Sequence, residues 1–131
     1  MGVIKRMDHV AVIAKDMDES IKFYTEILGF KFLSTITIEQ QGIMSSMLDC
    51  GGESLFEIVQ FTDGRDYNYV DGCYELVGFT VDDLDAAVAD LREKGVEFLM
   101  EEPVRMGEKD GFIFFRGPSG EKLEIVHNSG E

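Results

Sequence analysis

The feature that most constrains the fold is an internal repeat, because residues 67 positions apart follow one pattern along most of the chain. The match includes a strand, the helix after it and a distant second strand. An amphipathic helix alone could match by chance, but a match across three separated elements indicates duplication. The matched positions are Val10 with Val77, Asp16 with Asp83, Asp18 with Asp85, and Glu57–Val59 with Glu124–Val126.

The first copy has the pattern of a strand, a helix and three strands. Asp8–Ala14 is predicted as a strand, and Asp16 is expected to cap a helix in which Glu19 occupies the third position. The spacing of Met17, Ile21 and Tyr24 gives that helix one apolar stripe, and Gly29 is expected to end it. The strands predicted next are Phe30–Thr37, Gly42–Asp49 and Ser54–Phe61.

The second copy repeats the pattern with a helix stripe of Leu84, Val88 and Leu91. Gly95 corresponds to Gly29 after a slip of one residue, and Val96–Met100 and Gly111–Phe115 are predicted strands. We therefore predict an α+β fold over 1–131 as a single domain, with curved sheets enclosing a cavity. Its expected parts are a module at about 5–61, a polar connector at about 62–74 and a module at about 75–128.

Charge and composition exclude several kinds of partner. The formal net charge of −14 disfavours nucleic acid and anionic lipid surfaces. No apolar run is long enough to cross a membrane, and Met1–Met7 lacks the apolar core of a secretory signal, so we expect a cytoplasmic protein. Cys50 and Cys73 show no metal-binding spacing and are predicted as free thiols. The acidity is typical of a soluble surface, and it also suits a cationic ligand.

Two glutamates at equivalent positions of the repeat are the strongest candidates for function. Glu57 and Glu124 both lie in apolar strand segments, where an unpaired carboxylate costs several kcal/mol. Metal ligation, a buried cation or catalysis would account for them, whereas an edge strand at the water boundary is the structural alternative. His9, in the first strand of the first copy, adds a residue type that binds divalent metals and carries protons.

Taken together, these segments resemble the vicinal oxygen chelate superfamily, which includes glyoxalase I, extradiol dioxygenases, methylmalonyl-CoA epimerase and the fosfomycin and bleomycin resistance proteins. The resemblance covers nearly the whole chain and is specific to the superfamily, though not to one reaction. It is carried by Asp8–Val12, Asp16–Tyr24, Phe56–Gln60, Val77–Asp85, Gly117–Gly120 and Leu123–Val126.

The resemblance implies two tandem βαβββ modules whose curved mixed sheets form a metal-binding cup. His9, Glu57 and Glu124 match three of the four ligand positions of the family. The remaining position, which usually carries a second histidine, falls on Leu76 and cannot bind a metal. Glu75 is adjacent and could replace that ligand only through a register slip or bulge.

Two functions follow from the resemblance. One is a metal-dependent lyase or isomerase of glyoxalase type, acting on a small oxygen-chelating substrate with Zn²⁺, Ni²⁺, Mn²⁺ or Fe²⁺. In that case His9 and Glu57 hold the metal, while Glu124 is a ligand that also acts as the catalytic base. The alternative is a metal-free protein that sequesters a small cationic or aromatic molecule, as bleomycin resistance proteins do. Leu76 and the acidity favour the alternative, and His9 with both glutamates favours the enzyme.

Several other features are assigned to the structure rather than to the site. The run Phe112–Phe115 is expected to be a core strand, and His127, three residues after Glu124, is expected on the opposite face of its strand. Because small members of the superfamily are often homodimers, we also expect a homodimer, with the cup completed within one chain or across two.

Overall fold

The computed structural model describes residues 7–65, 76–127 and 129. The chain divides into two compact units, Met1–Tyr69 and Val70–Glu131. Each unit contains a strand, a helix and three further strands in that order, so the predicted α+β fold of two tandem βαβββ modules with mixed sheets is confirmed. No helix in the described part of the chain has both the length and the apolar character needed to cross a membrane.

The first unit is built on a mixed sheet. Strand β1 runs parallel to β4, whereas the other neighbouring pairs are antiparallel, and the spatial order is β1-β4-β3-β2. A left-handed residue, Gly42, follows the short 3₁₀ turn that joins β2 to β3. The elements of this unit are β1 (His9–Ile13), α1 (Met17–Lys22), β2 (Lys31–Ile38), β3 (Ile43–Gly51) and β4 (Ser54–Phe61).

The second unit has the same topology, with the order β5-β8-β7-β6. The predicted strand Val96–Met100 is wrong, since that segment makes only a single bridge, between Phe98 and Phe115. The Leu99 amide donates to the Phe114 carbonyl at 2.9 Å, but the regular edge strand is only the two residues of β6, which follow Pro103 directly. The elements are β5 (Val77–Thr80), α2 (Leu84–Glu93), β6 (Val104–Arg105), β7 (Gly111–Arg116) and β8 (Lys122–His127).

The strands pair in the same register within each of the two units. Ala11 lies opposite Glu57 in the parallel pair β1–β4, and 67 residues later Gly78 lies opposite Glu124 in the pair β5–β8. The same offset holds in the antiparallel pairs, so the repeat seen in the sequence is a repeat of the pairing itself. The corresponding antiparallel partners are Met47 with Glu57 and Phe114 with Glu124.

Both helices begin at the predicted aspartates. The Asp16 carboxylate accepts a hydrogen bond from the Glu19 amide at 2.9 Å, and the Asp83 carboxylate accepts one from the Ala86 amide at 3.0 Å. Each bond satisfies an amide that the first turn of a helix leaves without a partner. The predicted cap at Asp16 and its repeat at Asp83 are confirmed.

The two helices differ by one residue at their ends. Helix α1 continues into a π-helical turn, Phe23–Ile27, which uses one more residue than an α-helical turn. Helix α2 ends without such a turn. The glycine that follows the helix, Gly29 or Gly95, has a positive φ of 81° or 89° in the two units. The extra residue of the π turn therefore explains the one-residue slip in the repeat.

Each unit packs its helix stripe on one face of its own sheet. In the first unit Tyr24 is fully buried, and its ring centroid lies 4.5 Å from that of Phe56 on β4. In the second unit Leu84, Val88 and Leu91 are all buried, as the stripe predicts. Because strand residues alternate between faces, the opposite face of each sheet is left for polar or functional side chains.

Candidate functional site

The non-helical face of the first sheet carries both candidate residues of that unit. Residues opposite each other in paired strands share a face, so Ala11, Glu57 and Met47 form one row. His9 lies two residues before Ala11 and therefore on the same face. Phe56, which precedes Glu57, points to the buried face under the helix. Strand alternation thus separates the core of this unit from its candidate site.

The structure brings His9 and Glu57 together. His9 Nε2 lies 3.3 Å from Glu57 Oε1, and His9 Nδ1 lies 2.9 Å from Asp8 Oδ2. The Glu57 side chain is only 17% exposed, whereas that of His9 is 39% exposed. If Nδ1 donates its proton to Asp8, the neutral ring presents the lone pair of Nε2 next to the Glu57 carboxylate. Two electron-pair donors then converge, an arrangement that a cation between them would stabilise.

A third residue on this face, Ser45, was missed by the sequence reasoning. Its hydroxyl donates a hydrogen bond of 2.5 Å to Glu57 Oε2, and the residue is 4% exposed. In the sequence, Ser45 is one of two adjacent serines within a predicted strand. The only signal that could have singled it out is the pairing register of β3 with β4, which the sequence does not contain.

In the second unit, Glu124 occupies the position equivalent to Glu57. Burial raises the pKa of the Glu124 carboxyl above its usual range, and Lys122, two residues earlier on the same strand, partly opposes that rise. Gly78 lies opposite Glu124, and a Cβ placed there would be 2.7 Å from Glu124 Oε1. Because glycine has no Cβ, Gly78 leaves room for the Glu124 carboxylate in its observed position.

The aromatic run of β7 is divided between the two faces of the second sheet. Ile113 and Phe115 are fully buried, as expected for a core strand. Phe112 and Phe114 alternate with them and are half-buried, with ring centroids 5.3 Å apart. Phe114 lies directly opposite Glu124 and therefore on the same face of the sheet, and Lys122 Nζ lies 4.5 Å from the centroid of its ring. The prediction of a core strand is thus met by half of the run only.

The remaining residues considered in the sequence have other positions. Leu76 is half-buried and lies two residues before Gly78, while Glu75 and Cys73 fall outside the described residues. His127 Nδ1 lies 3.0 Å from Asp110 Oδ1, away from Glu124 along the strand. The Cys50 thiol is free, and burial raises its pKa, which makes it a poor thiolate ligand.

The donor atoms of the first unit fit part of a metal site. Two ligand atoms that are each about 2.1 Å from one ion lie about 3.0 to 3.4 Å apart at octahedral or tetrahedral angles. The separation of 3.3 Å between His9 Nε2 and Glu57 Oε1 falls in that range. The described residues of either unit taken separately contain no group of three or more His, Cys, Asp or Glu side chains that could hold a metal. The metal role of His9, Glu57 and Glu124 stays a prediction.

Two βαβββ units with glutamates at equivalent register, and a histidine beside one of them, define a class of protein built by duplication of one module. The chain belongs to the Glyoxalase/Bleomycin resistance protein/Dioxygenase superfamily, whose family model matches residues 6–125. The superfamily resemblance seen in the sequence is thereby confirmed.

Relatives of known sequence or structure cover nearly all of the chain. The Bacillus subtilis (strain 168) protein YwkD is 32% identical over 127 residues, covering 94% of this chain and 97% of YwkD. An Arabidopsis thaliana protein named "Probable lactoylglutathione lyase, chloroplastic" is 32% identical over 93% of this chain, which spans only 35% of that protein. The trypanothione-dependent glyoxalase I of Leishmania major superposes with a TM-score of 0.74 at 28% identity, covering 95% of this chain and 87% of the enzyme.

Proposed function

We propose that this protein is a metal-dependent lyase or isomerase of glyoxalase type that acts on a small oxygen-chelating substrate. The observation that carries the proposal is the His9–Glu57 pair, whose nitrogen and oxygen donors lie 3.3 Å apart. Asp8 holds the other ring nitrogen of His9, which is the usual support of a metal-binding histidine. The names of the Arabidopsis and Leishmania relatives also support this class of reaction.

On this proposal each residue has a distinct role. His9 and Glu57 would hold a divalent metal, with Glu124 of the second unit as a further ligand. When bound, the metal supplies positive charge that stabilises an oxyanion or enolate of the substrate. Glu124 would move the proton between substrate carbon atoms, and its partly desolvated carboxyl is suited to both accepting and returning that proton. Leu76 leaves one family ligand position to water or substrate.

The metal claim is tested by titrating chelator-stripped protein with Ni²⁺ and with Mn²⁺ in a calorimeter. We expect one site per chain, weakened at least tenfold in His9→Ala, Glu57→Gln and Glu124→Gln. His127→Ala is the matched control, because it removes the second described histidine and its Asp110 contact without touching the Glu57 side chain. Equal affinity in the parent and in His9→Ala would contradict the proposed ligand set.

The reaction claim is tested by proton exchange at carbon. Metal-loaded protein is mixed in D₂O with hemithioacetals formed from methylglyoxal and low-molecular-weight thiols, and the products are examined by proton NMR. Conversion to a thioester of a 2-hydroxy acid, lost in Glu124→Gln, is the expected result. Tight metal binding without turnover of any such substrate would support the proposed metal site but contradict the proposed glyoxalase-type reaction.

A metal-free binding protein is the second candidate, and it is favoured by the apolar character of the second unit. The position that repeats His9 is Leu76, and Phe112 and Phe114 lie on the same face as Glu124. Aromatic rings beside a carboxylate suit a flat or cationic molecule. Absence of Ni²⁺ and Mn²⁺ binding, combined with saturable binding of a cationic aromatic compound that Phe114→Ala weakens, would favour this candidate.

A further inference from the structure

Ser45 holds the Glu57 carboxylate on the side away from His9. The two Glu57 oxygens have separate partners, since Oε1 lies 3.3 Å from His9 Nε2 and Oε2 accepts the Ser45 hydroxyl at 2.5 Å. Occupation of Oε2 leaves Oε1 as the oxygen presented to His9.

The position of Ser45 is fixed by the sheet. Ser45 lies opposite Val59 in the antiparallel pair β3–β4, two residues along β4 from Glu57, so its side chain shares the face of Glu57 and reaches it diagonally. Ser45 is 4% exposed, and its hydroxyl therefore has little access to water as a competing partner. A buried donor and a mostly buried acceptor that satisfy each other restrict the rotamers of Glu57.

The repeat shows that this hydroxyl is specific to the first unit. The residue 67 positions after Ser45 is Phe112, on β7, which cannot donate a hydrogen bond to Glu124. The strand pairing around the two glutamates is the same in both units, yet among the described residues the position beside Glu57 carries a hydroxyl and the equivalent position beside Glu124 carries an aromatic ring. The hydrogen bond from Ser45 to Glu57 is therefore not a general feature of the βαβββ module.

We propose that Ser45 is a positioning residue of the metal site, which orients Glu57 so that Oε1 is directed to the metal together with His9 Nε2. This inference rests on the proposed metal role of His9 and Glu57. Ser45 itself does not contact metal or substrate in this scheme. Its effect is on affinity, because a carboxylate that is already oriented loses less rotational freedom when the metal binds.

The first test compares Ser45→Ala with Ser46→Ala by Ni²⁺ and Mn²⁺ titration and by thermal unfolding. Ser46 is the adjacent, fully buried serine, and its hydroxyl is hydrogen-bonded to that of Thr35 at 2.7 Å on the opposite face of β3. Both variants delete one buried hydroxyl from the same strand, so a merely structural effect should be similar in both. We expect metal affinity to fall about 10-fold to 100-fold in Ser45→Ala and to stay within about 3-fold of the parent in Ser46→Ala.

A second pair of variants removes any ambiguity from the change of volume or from poor folding. Ser45→Thr and Ser45→Val have almost the same shape and differ by a hydroxyl, so their steric effects cancel. Parent-like affinity in Ser45→Thr and weakened affinity in Ser45→Val would support the positioning role. Equal affinity in these two variants, while the parent binds metal, would overturn it and leave the proposed function intact. A parent protein that binds neither ion would overturn both.

Discussion

Replacement of Gly78 by alanine should displace the Glu124 carboxylate without unfolding the second unit. A Cβ at position 78 would lie 2.7 Å from Glu124 Oε1, but 3.7 Å from Cδ and 3.9 Å from Cβ of the same side chain. The conflict is therefore confined to the end of a flexible side chain. No positive φ is required at Gly78, so alanine can adopt its backbone conformation.

The size of the effect follows from these distances. Ordinary van der Waals contact begins near 3.4 Å, so Glu124 Oε1 must move by about 0.7 Å from its distance of 2.7 Å. A side-chain rotation of that order costs about 0.5 to 1.5 kcal/mol. Alanine has fewer backbone conformations than glycine in the unfolded chain, and this difference offsets about 0.4 to 1 kcal/mol of that cost. We expect the free energy of unfolding to change by less than about 1 kcal/mol, which is a Tm shift of roughly 4 °C or less.

The assay combines thermal unfolding with Ni²⁺ titration of the same protein. If Glu124 is a ligand, a carboxylate displaced by more than half an ångström should weaken Ni²⁺ affinity about tenfold in Gly78→Ala. Gly111→Ala is the control, because its added Cβ would clash with the backbone carbonyl of Val104, which cannot move aside cheaply. That variant should lose about 1 to 3 kcal/mol of stability. A Gly78→Ala protein with parent-like Tm and parent-like Ni²⁺ affinity would refute the assignment of Glu124 as a ligand.

Three further predictions concern stability. Ser20 Oγ is fully buried without a hydrogen-bond partner in the described residues. Ser20→Ala should therefore leave the free energy of unfolding in urea unchanged or raise it by about 1 kcal/mol. A loss above about 1 kcal/mol would show that the hydroxyl has a partner. Asp83→Ala removes the bond to the Ala86 amide and should cost about 1 kcal/mol, whereas Asp83→Asn should retain most of it. Hydrogen bonds from the Ser129 amide and hydroxyl lower the pKa of Asp110. The Asp110 carboxylate therefore stabilises the fold at pH values above the ordinary aspartate pKa, and this stabilisation is lost as the pH falls through the lowered pKa. Asp110→Asn should reduce that acid-dependent loss in Tm measured against pH, and an unchanged slope would show that Asp110 makes no contribution.

The order and type of most helices and strands were predictable, because the sequence patterns that indicate them are local or recur at a fixed distance along the chain. Asp16 as a helix cap and the stripe that includes Tyr24 depend only on neighbours within a few positions. The shared register of Glu57 and Glu124 follows from one offset that holds along the chain. The strand predicted at Val96–Met100 failed because its apolar composition favoured a strand, whereas strand formation depends on continuous pairing with a neighbour, and this segment makes a single bridge, between Phe98 and Phe115.

The candidate site was predictable only in part. His9 and Glu57 were identified by residue type and by the repeat, and the structure places them in contact. Ser45 could not be distinguished from Ser46, because the difference between them is which face of β3 each occupies opposite β4. A shift of one residue in that register would exchange the two serines, and the sequence contains no information of that accuracy.

The differences between the two units indicate how a duplicated module became asymmetric in chemistry. In both units a glutamate stands at the same register position, but its surroundings differ at equivalent residues of the repeat. The first unit places His9 beside Oε1 of Glu57 and the Ser45 hydroxyl on Oε2, so two contacts fix the direction of this carboxylate. The second unit has Leu76 and Phe112 at those positions, so desolvation dominates and the Glu124 carboxyl binds its proton more tightly. Under the proposed function, Glu57 would hold the metal and Glu124 would carry the proton, and the two environments differ in the direction that these separate roles require.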